Sequence, residues 1–592
     1  MTSRLANLLF SATLAILYGA TIPTHLPDAD GPEFVVIGIT GGIAHPPGYP
    51  LYCLLLRLVN SLFNNPESSF AAFGYLSAVL SGLAALVILD LMTRLGVSTI
   101  SRFTAVGISF TSFSIWHVAN NIEPFALNLL LCSLVLWCTA AITEPTGKFP
   151  ITNDWSTAFL GLLFGFGVCN HHTQALLVPM SFFALIGQVH FSQKVFRTML
   201  TFALGFILGL TPILYFFATN LDAPMVWGLA DWTENPFSRL ATHLLRREYG
   251  TFQLTAEPQS KWGFTFMLHM LTQSYLYILI LPCIYMGWSN LKNLTSKKSA
   301  HAFFLKCLWI NIVPIFIFFL MVKSEQNNFT DTILSRFIAL PVLSICPLVA
   351  LGIEIVREKF GALISWPIVV ALLGLHLLIN LEKCDRRLQK LPEFTLSTML
   401  QIAKNGYFIG SSDLAWAGVP FLQVVRGEGL NVRAILDGQI QAPQDRDKYF
   451  KKWGLPYRNW KGVNDFFEFA IQNGGLIFEA PPVGNPIITR VYPFGPVYVA
   501  GKTGVPDPAT LFQLNEKLYE DLLKSDLLNK DLLSTGWERY ALLYFANPWA
   551  ILADSLKNIR PDLAARATEY QQLLTPTGGK IEIHKVGISK LP

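Results

Sequence analysis

"WSTAFLGLLFGFGVCNHHTQALLVPMSFFALIG" occupies residues 155–187 and can be read in two ways. A membrane-spanning helix needs roughly 20 apolar residues, within about 17–25. The stretch is therefore either one long helix or two short ones that meet at "NHHT" (170–173). The placement of lysine and arginine decides between them, because these residues collect in connectors on the cytosolic side. With two crossings, Arg4, Arg94, Arg102, Lys148, Lys194, Arg197, Lys292, Lys297, Lys298, Arg357 and Lys359 all fall on one side. With one crossing, everything after residue 190 changes sides and Lys148 opposes Lys194. Two crossings satisfy the rule. The expected topology has about eleven spans, a cytosolic N-terminus and an external region over residues 386–592.

Working outward, the spans read near 5–22, 68–92, 102–119, 123–142, 155–170, 173–189, 198–219, 263–287, 303–322, 335–353 and 362–381. Leu51–Phe63 is apolar but short and interrupted by Arg57 and Asn60, which suits an amphipathic helix lying in the interface. Composition points the same way. Of 592 residues, 52% are hydrophobic and only 14% charged, where soluble domains carry about 25% charged residues. The net charge of +5 is small for this length and does not suggest a nucleic-acid partner. Leu5–Ile22 is long for a signal-peptide core, and no clear small-x-small cleavage site follows, so it reads as a retained span. The eight cysteines show no CxxC pair and no Cys/His ligand spacing, so neither a disulfide framework nor a zinc site is expected.

Beyond the last span the pattern changes. "GYFIGSSDLAW" (406–416), "NVRAIL" (431–436) and "GGLIFEA" (474–480) read as strands, and "DFFEFAIQN" (465–473) as a helix between two of them. This predicts an external α/β domain over 386–507. From 508 to 592 the pattern is helical, a tail that could be repeat-like. The expected division is a transmembrane domain over 1–385 with its first external loop at 23–67, followed by these two parts.

Four polar clusters then emerge on the external side. They are "DADGPEFVVIGITGGIAHPPGYP" (28–50), "WHVANNIEPFALN" (116–128), "NHHT" (170–173) and "DWTENPFSRLATHLLRREYG" (231–250). In the first, Asp30 and Glu33 are three residues apart and would share a helical face. Asp28 precedes them, and His45 opens a "HPPGYP" turn stiffened by prolines. Glu123 stands before Pro124, where an acid also complements a helix N-terminus. His171 and His172 are adjacent and would point apart on a helix, so joint metal chelation is disfavoured and hydrogen bonding to substrate is the better reading. His243 lies three and four residues before Arg246 and Arg247, so on one helix the three would converge on one patch. Arginine suits bidentate phosphate recognition, and beside a membrane that phosphate belongs to a lipid.

A fixed carboxylate, phosphate-binding arginines and an apolar wall together fit transfer of a sugar from a lipid-phosphate donor to a hydroxyl. A carboxylate serves as general base on the acceptor, and arginines stabilise the departing phosphate. No cofactor is required and no divalent metal is expected. A single displacement inverts the anomeric centre, and two carboxylates leave a retaining alternative open. A transporter is the competing class, but transporter sites place ionisable residues near the bilayer midplane, and here charge gathers at one surface. A receptor or scaffold would leave the arginine patch and the acidic loop unexplained.

The motifs "AHPPGYPL" (44–51) and "HLLRREYG" (243–250), with "NHHT" and "EPFALN" (123–128), resemble the transmembrane protein 260 family. "GSSDLAWAGVPFLQVVRG" (410–427) resembles the start of that family's soluble part. The family contains protein O-mannosyltransferases and is similar to the C-type glycosyltransferases, which use polyprenyl-phosphate sugars. The resemblance implies a C-type glycosyltransferase fold and a protein Ser/Thr acceptor, with a glycan or lipid acceptor as the alternative. It makes Asp30 the general base, Glu33 its support or an acceptor-orienting group, and Arg246, Arg247 and His243 the donor-phosphate site. Asp28, His45, Glu123, His171 and His172 are then substrate-binding. It also implies the endoplasmic reticulum membrane with a lumenal site for a eukaryotic chain, or the outer face of the plasma membrane for a bacterial one. The family's "DSGE" reads "DGPE" here, and Pro32 removes a backbone donor.

Overall fold

In the computed structural model, residues 3–143, 153–188, 193–229, 232, 235–249, 262–277, 280–282, 284–285, 300–322, 328–360, 366–441, 443–455, 462–525, 527 and 536–575 are described. Lys148, Lys292, Lys297 and Lys298, used in reading the topology, lie outside the described residues. The first seven helices are α1 (Ser3–Gly19), α2 (Gly31–Thr40), α3 (Pro50–Asn60), α4 (Pro66–Arg94), α5 (Thr99–Phe110), α6 (Phe113–Ala119) and α7 (Phe125–Thr143). Among the described residues six helices are long and apolar enough to cross a membrane: Pro66–Arg94, Phe125–Thr143, Val195–Ala218, Phe303–Met321, Ile333–Lys359 and Trp366–Ile402.

Other expected spans are shorter or interrupted. The 102–119 span is two helices, because the Thr111 and Ser112 hydroxyls bond back to the carbonyls of Gly107 and Ser109 where α5 gives way to α6. The 155–189 stretch folds as two helices, Asn153–Val168 and Val178–Gln188, joined through a 3₁₀ segment, His172–Leu177. The Asn153–Val168 helix packs closely on Gln193–Gly209, where a Cβ added to Gly161 would lie 2.1 Å from the Phe202 carbonyl oxygen. This is the small-residue contact that lets two membrane helices approach.

Large apolar side chains remain exposed around the bundle, among them Ile16, Phe196, Leu204, Ile207 and Leu378. Such a belt is what lipid would cover. The two ends differ in chemistry. At one, Arg102 bonds Ser3 and Asn7, and Ser98 meets Glu354, itself paired with Arg357. At the other stand Asp30, Glu123 and Arg336. Arg336 and Glu354 share the Ile333–Lys359 run, so 18 residues at 1.5 Å each separate the ends by about 27 Å, near the hydrocarbon thickness.

The C-terminal part carries a five-stranded sheet in the order β2-β1-β3-β5-β4. β1 (Tyr407–Gly410) is parallel to β2 (Arg433–Leu436) and β3 (Leu476–Phe478); β5 (Val497–Ala500) is antiparallel to β3 and to β4 (Val491–Phe494). The strand expected over 406–416 stops at Gly410, because Ser412 caps a helix over Asp413–Phe421 by accepting from the Ala415 amide. The β4–β5 hairpin was not anticipated, although "YPFGPVYVA" (492–500) turns at Gly495 with φ +57°. Helices Pro508–Lys524, Gly536–Leu556 and Pro561–Leu574 follow. The Asp413–Phe421 helix packs on α2, and Gly536–Leu556 on Asn328–Phe337, so the sheet-bearing part seats directly over the acidic loop.

Candidate active site

The acidic loop turns through Ala29, at φ +54°, and enters α2 at Gly31. Pro32 falls in the first helical turn, where a missing N–H leaves no intrahelical bond unmade, so "DGPE" is accommodated without loss of a hydrogen bond. Asp30 occupies the N-cap position, yet its side chain makes no cap bond. One of its oxygens, Oδ2, instead accepts from Arg336 Nη1 at 2.5 Å. The same Nη1 reaches Glu123 Oε2 at 3.1 Å, and Asn121 Nδ2 donates to Glu123 Oε1 at 2.9 Å. Burial pushes the Asp30 carboxyl up, but Arg336, then His45 and Arg246, outweigh it and hold it below the usual carboxylate range. Glu123 is pushed up to about 7, because burial and the charge on Asp30 exceed the pull of Arg336.

Glu33 faces His45. Its Oε1 accepts from the His45 amide at 2.7 Å and its Oε2 meets Nδ1 at 2.5 Å, leaving the carboxylate fully buried. Burial works against a charge on His45, but Glu33 and Asp30 overcome it and raise the ring to about 9. Nε2 of His45 lies 3.2 Å from the Tyr49 hydroxyl, and Tyr49 stacks on His171 at 6.0 Å. The mount beneath His45 is a strap to residues 219–227. Gly42 N–H donates to Thr219, Ile43 N–H to the Met225 carbonyl at 3.0 Å, and Trp227 N–H to the Ile43 carbonyl at 2.9 Å. Gly42 sits at φ +117°, and a Cβ there would lie 2.0 Å from the Met225 oxygen, so only glycine fits.

Asp28 points elsewhere. It pairs with Arg386 at 3.0 Å, both about 1% exposed, and Arg386 also donates to His117 Nδ1 at 2.5 Å. His171 is buried and accepts from the Thr173 amide at 3.3 Å, and its burial, with His172 and Arg246, holds the ring well below the usual histidine range. His172 is half-buried beside it.

The expected convergence of His243, Arg246 and Arg247 does not occur. Their helix, Pro236–Leu244, ends before the arginines, and Arg246 takes a left-handed backbone at φ +51° that turns the chain. His243 is fully buried, donates through Nε2 to the Ala44 carbonyl at 3.0 Å and accepts from Arg239 at 3.2 Å. Burial and Arg239 lower it to about 3, so it is a neutral brace under the His45 turn. Arg246 is half-buried, and its charge acts on Asp30, His45 and Tyr49, whereas Arg247 is exposed. Among the described residues no three His, Cys, Asp or Glu side chains group as metal ligands would.

Sequence reasoning missed Arg336 and Arg386, the guanidinium partners of the acidic loop. A signal existed for Arg336: "SRFIALPVL" (335–343) places an arginine at the entrance of an apolar span, where an unpaired charge is costly and a partner is to be sought.

The fold and site together define a multi-pass helical membrane protein that gathers paired carboxylates, an arginine and a histidine at one end of its bundle. Residues 30–194 match the family model of the protein O-mannosyl-transferase TMEM260 N-terminal domain, in agreement with the resemblance read from the motifs. Protein O-mannosyl-transferase TMEM260 of Mus musculus is 30% identical over 252 residues, 41% of this chain and 34% of that protein. Its counterpart in Dictyostelium discoideum is 24% identical over 324 residues, 52% of this chain and 38% of that protein. The chain thus matches little more than a third of the length of these curated relatives. Among solved structures, ArnT from Cupriavidus metallidurans bound to undecaprenyl phosphate aligns at TM-score 0.47 with 12% identity, covering 80% of this chain and 92% of that one. The apo state of the same protein aligns at 0.48 with 13% identity, covering 84% and 98%.

Proposed function

We propose that this chain is a glycosyltransferase that moves a sugar, mannose, from a polyprenyl-phosphate donor to a Ser or Thr hydroxyl of a protein, with inversion and with Asp30 as general base. The observation that carries the reading is the state of Asp30. Arg336 holds Oδ2, while among the described residues Oδ1 takes no hydrogen bond and the residue lines a cavity. A carboxylate fixed by one oxygen and open at the other is what a general base on an incoming hydroxyl needs. The match to the O-mannosyl-transferase family model spans Asp30, Glu33, His45, Glu123, His171 and His172.

In the proposed step the acceptor oxygen forms a bond to the anomeric carbon as the bond from that carbon to the phosphate oxygen breaks. The acceptor proton passes to Asp30 Oδ1, and the electron pair leaves with the phosphate. A lowered pKa suits this role, since the hydroxyl becomes acidic only as its bond to carbon forms. Arg246 lies where its charge reaches Asp30 and His45 and neutralises the departing phosphate, with Arg247 at its exposed rim. Glu33 keeps His45 cationic and positioned, which adds positive charge on the same side. Asp28 and His243 act as braces for the loop. The acidic end of the bundle faces the lumen or the outside, and the basic end the cytosol.

The test is purified protein in nanodiscs, given a polyprenyl-phosphate mannose and a Ser/Thr peptide. Wild type transfers mannose, and Asp30→Asn, with unchanged thermal stability, loses the transfer by about 10²–10⁴-fold. Turnover by Asp30→Asn close to wild type removes Asp30 from the mechanism. Absence of transfer from any polyprenyl-phosphate sugar overturns the function.

A further inference from the structure

A cavity of about 360 Å³ lies between the membrane bundle and the C-terminal part. Asp30 and Arg336 form its floor, and Ser411, Asp413, Trp537 and Tyr540 line it from the C-terminal part. Asp413 is held there by construction. Glu479, 1% exposed at the end of β3, accepts from the amides of Ser411 at 2.6 Å and Ser412 at 2.9 Å, and also binds the hydroxyls of Ser412 and Tyr544. Ser412 in turn caps the helix that Asp413 begins, and that helix packs on α2, which follows Asp30. The wall bearing Trp537 and Tyr540 packs on the Asn328–Phe337 helix that carries Arg336. Each side of the cavity is thus fixed to the other.

Its charge is one-sided. Arg336 is the cation among the described lining residues, and it is already shared between Asp30 and Glu123. Two carboxylates, Asp30 and Asp413, face the space with serines and aromatic rings. Burial pushes the Asp413 carboxyl up, and the charge on Asp30 adds to this, as expected of two acids across one small cavity. Arg336 Nε, on a residue only 7% exposed, meets no acceptor among the described residues. It is a buried donor beside the cavity with nothing bound to it. An anionic phosphate is repelled from such a space, so the donor's phosphate belongs on the Arg246 side of Asp30.

We infer that this cavity is the acceptor site, and that Asp413 with Tyr540 and Trp537 binds an extended, hydroxyl-bearing peptide segment that is neutral or cationic around its Ser or Thr. The inference rests on the transferase reading and names the substrate class of that same site. Arg336 Nε offers a hydrogen bond to a peptide carbonyl, Asp413 accepts from a peptide N–H or a flanking lysine, and the rings pack on the chain. Acidic residues beside the acceptor hydroxyl are disfavoured by the two carboxylates.

The experiment compares mannose transfer to two peptides of equal length, one with Lys and one with Glu flanking the Ser, by full-length protein in nanodiscs. Wild type favours the Lys peptide. Asp413→Asn raises the KM for that peptide about tenfold, the loss of one hydrogen bond to a charged group, and narrows the Lys-over-Glu preference by a similar factor. Asp413→Lys reverses the preference. The exposed Asp554→Asn, on the far helix of the C-terminal part, changes neither quantity. Wild-type transfer with peptide KM and preference unchanged in both Asp413 variants overturns the acceptor site while leaving the transferase standing. Wild type without transfer overturns the transferase reading itself. Should Asp413→Asn unfold, Tyr540→Phe and Trp537→Ala carry the same KM test.

Discussion

Replacing Arg336 by alanine removes the guanidinium shared by Asp30 and Glu123, and the size of the effect depends on pH. Glu123 is 1% exposed, and its carboxyl stands at about 7 against an ordinary value of 4.5. In wild type, between those two values the folded chain holds a proton that the unfolded chain has released. Stability therefore falls by about 1.4 kcal/mol per pH unit across that window and levels off above pH 7. Without Arg336 the pull that lowers Glu123 is gone, its carboxyl moves further up, and the decline continues past pH 7. The gap between wild type and Arg336→Ala is then modest at pH 6, where Glu123 is protonated in both. It widens by about 1.4 kcal/mol per unit above pH 7, reaching about 2 kcal/mol more at pH 8.5. Asp30 is 37% exposed and screened by solvent, so it adds less. The full penalty for breaking a buried pair, about 3–5 kcal/mol, applies only where Glu123 must stay charged. The assay is the apparent melting temperature in detergent at a fixed scan rate from pH 6 to 8.5, with Arg336→Ala/Glu123→Gln as the partner variant. The double variant loses the extra slope above pH 7. A gap between wild type and Arg336→Ala that is constant across this range refutes the buried pairing of Arg336 with Glu123.

The two arginines of "HLLRREYG" separate by exposure. Arg246→Ala raises the KM for the lipid-phosphate donor about tenfold or more, the worth of a charge-assisted bond, and Arg247→Ala changes it little; equal effects would return both to the phosphate. Gly42→Ala forces a side chain into φ +117° and against the Met225 carbonyl, costing about 1–3 kcal/mol or more and loosening the strap under His45. Unchanged melting temperature and turnover would show that the strap does not hold the turn. Exhaustive EDTA treatment leaves transfer intact; a loss restored by Mg²⁺ or Mn²⁺ would make Asp28, Asp30 and Glu33 ligands instead.

Much of the site was legible because local sequence dictates it. Asp30 and Glu33 share the first turn of α2, and the "HPPGYP" turn returns His45 to Glu33, all within eighteen residues of chain (28–45). Partners distant in sequence were not legible. Arg336 lies 306 positions from Asp30, and Arg386 lies 358 from Asp28, and no local pattern announces such a pairing. His243 and the two arginines illustrate the converse error. Helical spacing put them on one face, but the backbone leaves the helix at Leu245 and turns at Arg246.

The sequence by itself determined that the chain is a helical membrane protein, because apolar runs of spanning length admit few folds other than helices in lipid. It also determined which residues form the acidic loop and where the strands of the C-terminal part begin. Only the tertiary structure decided which carboxylate is open. Asp28 is closed by Arg386, Glu33 by His45 and Glu123 by Arg336, while Asp30 keeps one oxygen facing a cavity completed by the C-terminal part. The physical reason is that a buried carboxylate takes whichever cation the fold brings to it, and that choice is made by packing between segments far apart in the chain.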